Sequence, residues 1–373
     1  MNTRLKAHAV KGWLWQGGVA LAVAALFYWL SHNLSTNLAA RGMEIDFGFL
    51  AQRAGFDIPF RLVAWDGSYP YGWALYVSGV NTLFASALII VLASLLGLAL
   101  ALMRLSGNPL AAGTSRTIVE VVRNTPQLTQ IVFFYIAVLQ VLPPMRQSIT
   151  WFGSMFLNVR GLYVPAPSGT AYDAILAATC AVVVLAAVFW RRLGWHEVPR
   201  LVVLPPVLVL GAIIAGVTAN WDYPSLKGFN FTGGTRVPPE LLALVLGIGV
   251  YTSVFIAEII RAAIQGIHRG QGEAARSLGL SSSQAMFLVI LPQALRILIP
   301  PLTSQYLNII KSTTLGAAIA YPEVLQIFAR TVLNQSGRAV EVMTLVLGVF
   351  LAVNLLASAA MNVWNRRLAL QGR

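Results

Sequence analysis

Charge is scarce in this chain: 10% of its 373 residues are Asp, Glu, Lys or Arg, against 57% hydrophobic ones. A water-soluble domain carries about a quarter of its residues charged. A single water-facing globule is therefore excluded, and a mean hydropathy of +0.71 makes lipid the main solvent. Cysteine is nearly absent: Cys180 stands alone, which excludes an intrachain disulfide and any cysteine-based metal site. The four histidines, His8, His32, His196 and His268, are scattered, and no pair has the i, i+4 spacing of a helical metal site. No GxxxxGK loop followed by Ser or Thr occurs, so the chain has no ATP site of that kind, and an ATPase must be a separate polypeptide. No nucleophile and base pair stands out. Acidic residues are half as many as basic ones, 13 against 26. The basic residues are spread over many short loops and build no continuous face for phosphates, so nucleic acid is not an expected partner.

What is present is a series of long apolar runs. About 20 apolar residues cross a bilayer as a helix, and eight runs approach that length: Trp13 to Leu30, Tyr76 to Met103, Ile118 to Leu142, Ala174 to Trp190, Leu201 to Thr218, Leu241 to Ile264, Ile297 to Ala320 and Val342 to Trp364. The expected architecture is an all-α integral membrane protein of about eight transmembrane helices. The first run, preceded by Arg4, Lys6 and Lys11, is long for a cleaved signal peptide and reads as a retained anchor. Ala174 to Trp190 and Leu201 to Thr218 are short, and the latter contains Pro205 and Pro206. That pair is compatible with two spans or with a re-entrant hairpin.

An inside amino terminus puts 16 of the 26 Lys and Arg on the cytoplasmic side and nine outside, with Lys311 in a span. The outer segments, notably Ser31 to Leu75 and Ala219 to Glu240, are the longer ones, so both termini are expected in the cytoplasm. Outer stretches such as Trp65-Asp66-Gly67-Ser68-Tyr69-Pro70-Tyr71 read as belt aromatics beside turn residues, without chemistry of their own.

The most informative stretch is Gly266 to Pro292. It is too polar at its start to span, yet its apolar residues recur at helical spacing. Glu273, Ala274, Ala275, Arg276 and Leu278 favour a short helix. Gly279 permits a left-handed turn that stops it, and Ser281 is a natural cap for a second helix. This helix-turn-helix resembles the EAA loop of permease subunits of bacterial ABC importers: EAA, three residues, Gly, nine residues, an aliphatic, one residue, Leu-Pro. Glu273-Ala274-Ala275, Gly279, Val289, Leu291 and Pro292 stand at that spacing. Arg123-Asn124-Thr125-Pro126-Gln127-Leu128 resembles the RGTPLL segment of polar amino-acid permeases. Ala257 to Arg261, Pro292 to Ala294 and Lys311 to Leu315 resemble their AEIxR, PQALR and KDTSL segments. Asn124 departs from the usual glycine.

The resemblance implies a type I ABC importer permease core of five helices, in residues 76–142 and 241–373. Residues 1–75 then add an anchor and outer loop, and residues 143–240 an inserted helical hairpin. Both additions resemble the larger permease subunit of general L-amino-acid importers. The resemblance also implies that Glu273, Ala274, Ala275, Gly279, Leu291 and Pro292 belong to a loop that docks on an ATPase. It implies ATP-binding subunits holding ATP and magnesium, a second permease subunit or copy, an extracytoplasmic amino-acid-binding protein, a place in the bacterial inner membrane, and no cofactor in this chain.

An amino acid crossing hydrocarbon needs fixed partners for its carboxylate and ammonium. The candidates are Glu258 for the ammonium, Lys311 or Arg123 for the carboxylate, and Asn124, Thr125, Thr313 and Thr314 as hydrogen-bonding groups. Glu258 and Arg261, three apart on one helix, are equally placed to pair with each other, and Arg123 to snorkel to the interface. Pro126, Pro300 and Pro301 are candidate kink or gate positions. Two other classes remain open on the residues alone: an ion-coupled secondary transporter, with Glu258 and Lys311 as coupling groups, and a membrane scaffold with no path.

Overall fold

The computed structural model describes residues 2–40, 45–189 and 200–370. The basic segment around Arg191, with His196, and the terminal Arg373 lie outside them. Helix dominates. In chain order the long helices are α1 (Asn2–Ala40), α2 (Tyr71–Leu105), α3 (Pro109–Arg123), α4 (Gln127–Val141), α5 (Thr170–Phe189), α6 (Arg200–Thr218) and α7 (Pro239–Gln265). Two short helices follow, α8 (Arg269–Ser277) and α9 (Ser282–Ala285), then α10 (Leu291–Ser312), α11 (Leu333–Ser336) and α12 (Ala339–Leu370).

Among the described residues, five helical stretches are long and apolar enough to cross a membrane: Trp15–Ala40, Tyr71–Leu105, Pro239–Gln265, Ser282–Ile319 and Ala339–Ala359. The run Ile118 to Leu142 is not one span. Pro126 lacks the N–H that would continue α3 and restrains Thr125, so the chain stops at Arg123 and restarts at Gln127. By contrast Pro300 and Pro301 are accommodated inside α10, and Pro205 and Pro206 inside α6.

The centre is α2 packed along α7. Both are rich in Ala, Gly and Ser on the shared face, which lets backbones approach closely in lipid, where packing rather than water expulsion holds helices together. A Cβ added at Gly97 of α2 would meet Ile256 Cγ2 at 2.7 Å, and one at Gly247 of α7 would meet Ile131 Cα of α4 at 2.7 Å. The core here is Ala85, Ile89, Ile131, Leu244, Ile248, Ile256 and Ile309. α5 pairs with α6.

The outer segments are more ordered than belt aromatics beside turns. Residues 45–70 form a cap whose Phe49, Ile58 and Trp65 are buried with Tyr71, Val77, Phe328 and Val346. Trp65 is 4% exposed, and its indole N–H donates to the carbonyl of Phe56 at 3.2 Å. Phe49 and Trp65 therefore belong to a packed corner, where the indole is buried with its N–H satisfied. The segments flanking the α5–α6 hairpin add strand structure to a mostly helical chain. A four-stranded antiparallel sheet has the order β1 (Ile149–Trp151), β2 (Met155–Asn158), β3 (Gly161–Val164), β8 (Thr235–Val237). Two hairpin-like pairs accompany it: β4 (Ala166–Ser168) with β5 (Asn220–Asp222), and β6 (Ser225–Lys227) with β7 (Asn230–Thr232). Phe231 packs on Phe156 and Tyr163 at ring distances of 4.8 and 4.5 Å, which joins the two arms of the insertion.

Candidate functional site

The hairpin between α7 and α10 is built from residues suited to their places. α8 starts at His268, whose Nδ1 accepts from the N–H of Gly270 at 3.1 Å. It ends on Gly279 at φ +79°. The N–H of Gly279 donates to Arg276 O at 2.9 Å and that of Leu280 to Ala275 O at 3.2 Å, the paired bonds of a Schellman stop. Ser281 then caps α9 as expected: its hydroxyl accepts from the N–H of Gln284 at 3.3 Å, and the Gln284 side chain accepts from the Ser281 N–H at 2.9 Å. A wider turn at Met286–Ile290, with bonds five residues apart, carries α9 into α10. Leu291 and Pro292 lie at that passage. Gln293 of α10 donates to Gln271 of α8 at 3.2 Å and closes the hairpin.

Ala275 is buried beneath α8, whereas Glu273, Ala274 and Gly279 face outward. Leu278 is 83% exposed, and Phe287 and Leu288 are 63% and 65% exposed. In the sequence Leu278 reads only as a helix former, and Phe287 and Leu288 do not stand out, because each looks like one more member of an apolar run. A cleft of ≈ 640 Å³ opens beside α8, lined among others by Gln265, His268, Arg269, Glu273, Arg276 and Ile290.

Among the membrane helices, the structure brings two interrupted helices together. The first break is Arg123-Asn124-Thr125-Pro126, between α3 and α4. The second follows Lys311 and Ser312, where α10 tightens into a 3₁₀ stretch, Thr313–Ile319. Ser312 Oγ donates to Gln127 Oε1 at 3.4 Å and links the two. Arg123 and Asn124 are exposed, as is Lys311 in the last turn of α10. The hydroxyls of Thr125, Thr313 and Thr314 donate to carbonyls of their own helices, those of Val121, Ile310 and Lys311, at 2.7 to 2.9 Å. Gln130, absent from the sequence-based candidates, closes the first break. Its amide donates to Val122 O at 2.9 Å and Thr125 O at 3.4 Å, on the α3 side of the break.

Glu258 stands apart from these breaks, in the last third of α7. Both its carboxylate oxygens face guanidiniums, of Arg261 on its own helix and Arg104 on α2. A second acidic residue, missed in the sequence because it lies between spans, is Glu323. It is 0% exposed, and its carboxyl accepts from the N–H groups of Leu325 and Gln326 at the start of the next helical stretch, at 2.7 and 2.6 Å. Burial pushes the Glu323 carboxyl up to about 8 against the lowering effect of those two donors. Beside it, Asn81 of α2 donates to the carbonyls of Phe60 and Pro322 at 2.8 and 3.0 Å and ties cap, α2 and outer loop together.

Known proteins of similar sequence are permease proteins of amino-acid transport systems. The model of the family "Binding-protein-dependent transport system inner membrane component" matches residues 198–370. A putative amino-acid ABC transporter permease protein of Escherichia coli K12, YhdX, is 44% identical over 98% of this chain and 95% of its own. The general L-amino acid transport system permease protein AapQ of Rhizobium johnstonii is 39% identical over 93% and 89%. A solved amino acid ABC transporter chain, from a crystal structure with histidines, shares the fold at a TM-score of 0.51 and 20% identity, covering 80% of this chain and 95% of its own. The chain belongs to the amino-acid ABC transporter permeases, as a membrane-spanning subunit.

Proposed function

We propose that this chain forms part of the translocation path of an inner-membrane amino-acid importer and is driven by separate ATPase subunits through the hairpin Gly266 to Pro292. The observation that carries the reading is that hairpin. A Schellman stop, a capping box and the Gln271–Gln293 bond rigidify a polar surface helix that presents Glu273, Ala274 and Leu278 outward. A rigid, outward-facing element between two spans is what a docking partner requires to move the spans. ATP and magnesium belong to the partner chains. An extracytoplasmic binding protein delivers the substrate, and a second permease subunit or copy completes the path.

In this reading residues 76–142 and 241–373 make the core, with residues 1–75 and 143–240 as additions, and both termini are cytoplasmic. The substrate class follows the relatives, one of which is named a glutamate/glutamine/aspartate/asparagine transport system permease protein, from Rhodobacter capsulatus, 33% identical over 95% of this chain. Arg123, Asn124, Thr125, Lys311, Thr313 and Thr314 flank the two joined helix breaks, where irregular backbone is tolerated because it lines a polar path. The test is purification from native membranes in mild detergent with the unaltered chain and with Gly279→Trp. The unaltered chain should retain ATPase subunits and a second permease, and the variant should lose uptake and ATPase stimulation while staying in the membrane. Normal coupling in Gly279→Trp would sink the assignment, since Gly279 sits at φ +79° and a Cβ there meets no atom of this chain within 4 Å, which leaves the ring to obstruct the docking face.

A further inference from the structure

The cytoplasmic ends of α2 and α7 are joined by three charges. Glu258 Oε2 accepts from Nε and Nη2 of Arg261, one turn on, at 3.1 and 2.8 Å. Its Oε1 lies 3.3 Å from Nη1 of Arg104, in the last turn of α2. The side chains of Arg104, Glu258 and Arg261 are 22, 27 and 29% exposed, so each is largely withdrawn from water.

The two contacts differ in kind. The Arg261–Glu258 pair lies within one helix and survives any rigid movement of α7. The Arg104–Glu258 contact crosses between helices, and Arg104 Nη1 is buried with no aligned hydrogen-bond acceptor. Guanidinium–carboxylate hydrogen bonds settle near 2.7–2.9 Å. The inter-helix half is therefore short of its optimum, and a small displacement of α7 along α2 changes its strength.

Packing alone already holds these helices, through the close approach at Gly97. Withdrawing three charges from water costs free energy that a packed apolar contact does not, and intramembrane ions are retained chiefly for function. The clamp also sits on the route from the hairpin. Arg261 Nη1 donates to Gln265 at the end of α7, and Ser115 Oγ of α3 donates to Leu100 O on α2 at 2.8 Å.

We propose that Arg104, Glu258 and Arg261 are positioning residues for transport. The Arg104–Glu258 contact tightens and loosens as the coupling hairpin moves, so that α2 follows α7, and Glu258 does not meet the substrate ammonium. This rests on the coupling function proposed above. The test is the whole transporter in liposomes, with uptake of a mixture of radiolabelled L-amino acids measured per ATP hydrolysed. Arg104→Gln and Glu258→Gln should each lower uptake per ATP roughly five- to fifty-fold, the range of a coupling interaction. The amino-acid concentration at half-maximal uptake should stay unchanged. The double variant should be no worse than either single one, and the exchange Arg104→Glu with Glu258→Arg should recover much of the loss.

Unchanged uptake per ATP would overturn the clamp. So would a raised half-saturating concentration with full uptake at saturation, which would give Glu258 to the substrate. If the neutral variants fail to reach the membrane, Arg104→Lys keeps the charge but not the geometry: a partial loss of coupling supports the clamp and normal coupling overturns it. Co-purified ATPase, scored separately, tests the coupling reading itself, because clamp variants should still bind it.

Discussion

The side-chain amide of Gln130 donates to the carbonyl of Val122 at 2.9 Å and so bridges the gap between α3 and α4. Eight residues separate the two, so the bond reaches from the first turn of α4 back across the break. Without the amide Val122 O keeps the N–H of Thr125 at 3.3 Å, so the loss is that of the side-chain bonds alone. Gln130→Leu should therefore lower stability by about 1 kcal/mol, the net worth of a hydrogen bond. Thermal unfolding in detergent measures it, with Gln130→Glu as the comparison that loses the donor but keeps the shape.

Gly279 sits at φ +79° with open space around it, so backbone conformation alone sets its requirement. Gly279→Ala should cost about 1–2 kcal/mol locally, and Gly279→Asn less, because Asn tolerates the left-handed region. Uptake should rank glycine above asparagine above alanine. Equal uptake in all three would mean that the stop of α8 is not needed for coupling.

The Ser281 capping box makes a second local prediction. Ser281→Ala should weaken the start of α9 by about 1 kcal/mol, and Ser281→Asp should retain the cap. Hydrogen exchange at residues 282–286 reports it: faster exchange in the alanine variant and near-normal exchange in the aspartate variant.

Glu323 links stability to pH. Its carboxyl stands at about 8 in the fold against an ordinary 4.5, so the folded chain binds the proton more tightly than the unfolded chain does. Its contribution is present in full below about 4.5 and is lost as pH rises through about 8. Glu323→Gln, neutral at all pH, should abolish that part of the decline. Melting temperatures at pH 5 and pH 8.5 should diverge less in the variant than in the unaltered chain.

Much of this architecture is legible in the residues because lipid imposes length and polarity on each span. The hairpin is equally legible: Gly279 and Ser281 carry their conformational meaning in their own chemistry, and the structure places a left-handed turn and a capping box at them. Other features are hidden for physical reasons. The run Ile118 to Leu142 keeps an apolar composition across a helix break, so hydropathy passes over Pro126. Trp65 and Phe49 have the composition of interface aromatics, and only tertiary packing distinguishes a buried indole from a belt one. The strands of the insertion are three or four residues long, too short to show alternation. Glu258 read equally well as a substrate partner or as half of an ion pair, and the second guanidinium, from Arg104, lies 154 positions earlier in the chain, where no local spacing reveals it.

β8 ends at Val237 and α7 begins at Pro239, so the outer sheet runs into a membrane helix across a single residue. α7 then continues for 27 residues, about 40 Å at 1.5 Å per residue, to the edge of the hairpin. In the importer proposed above, a pull on that hairpin would travel along one unbroken helix, and the small sheet would be the other end of the same shaft.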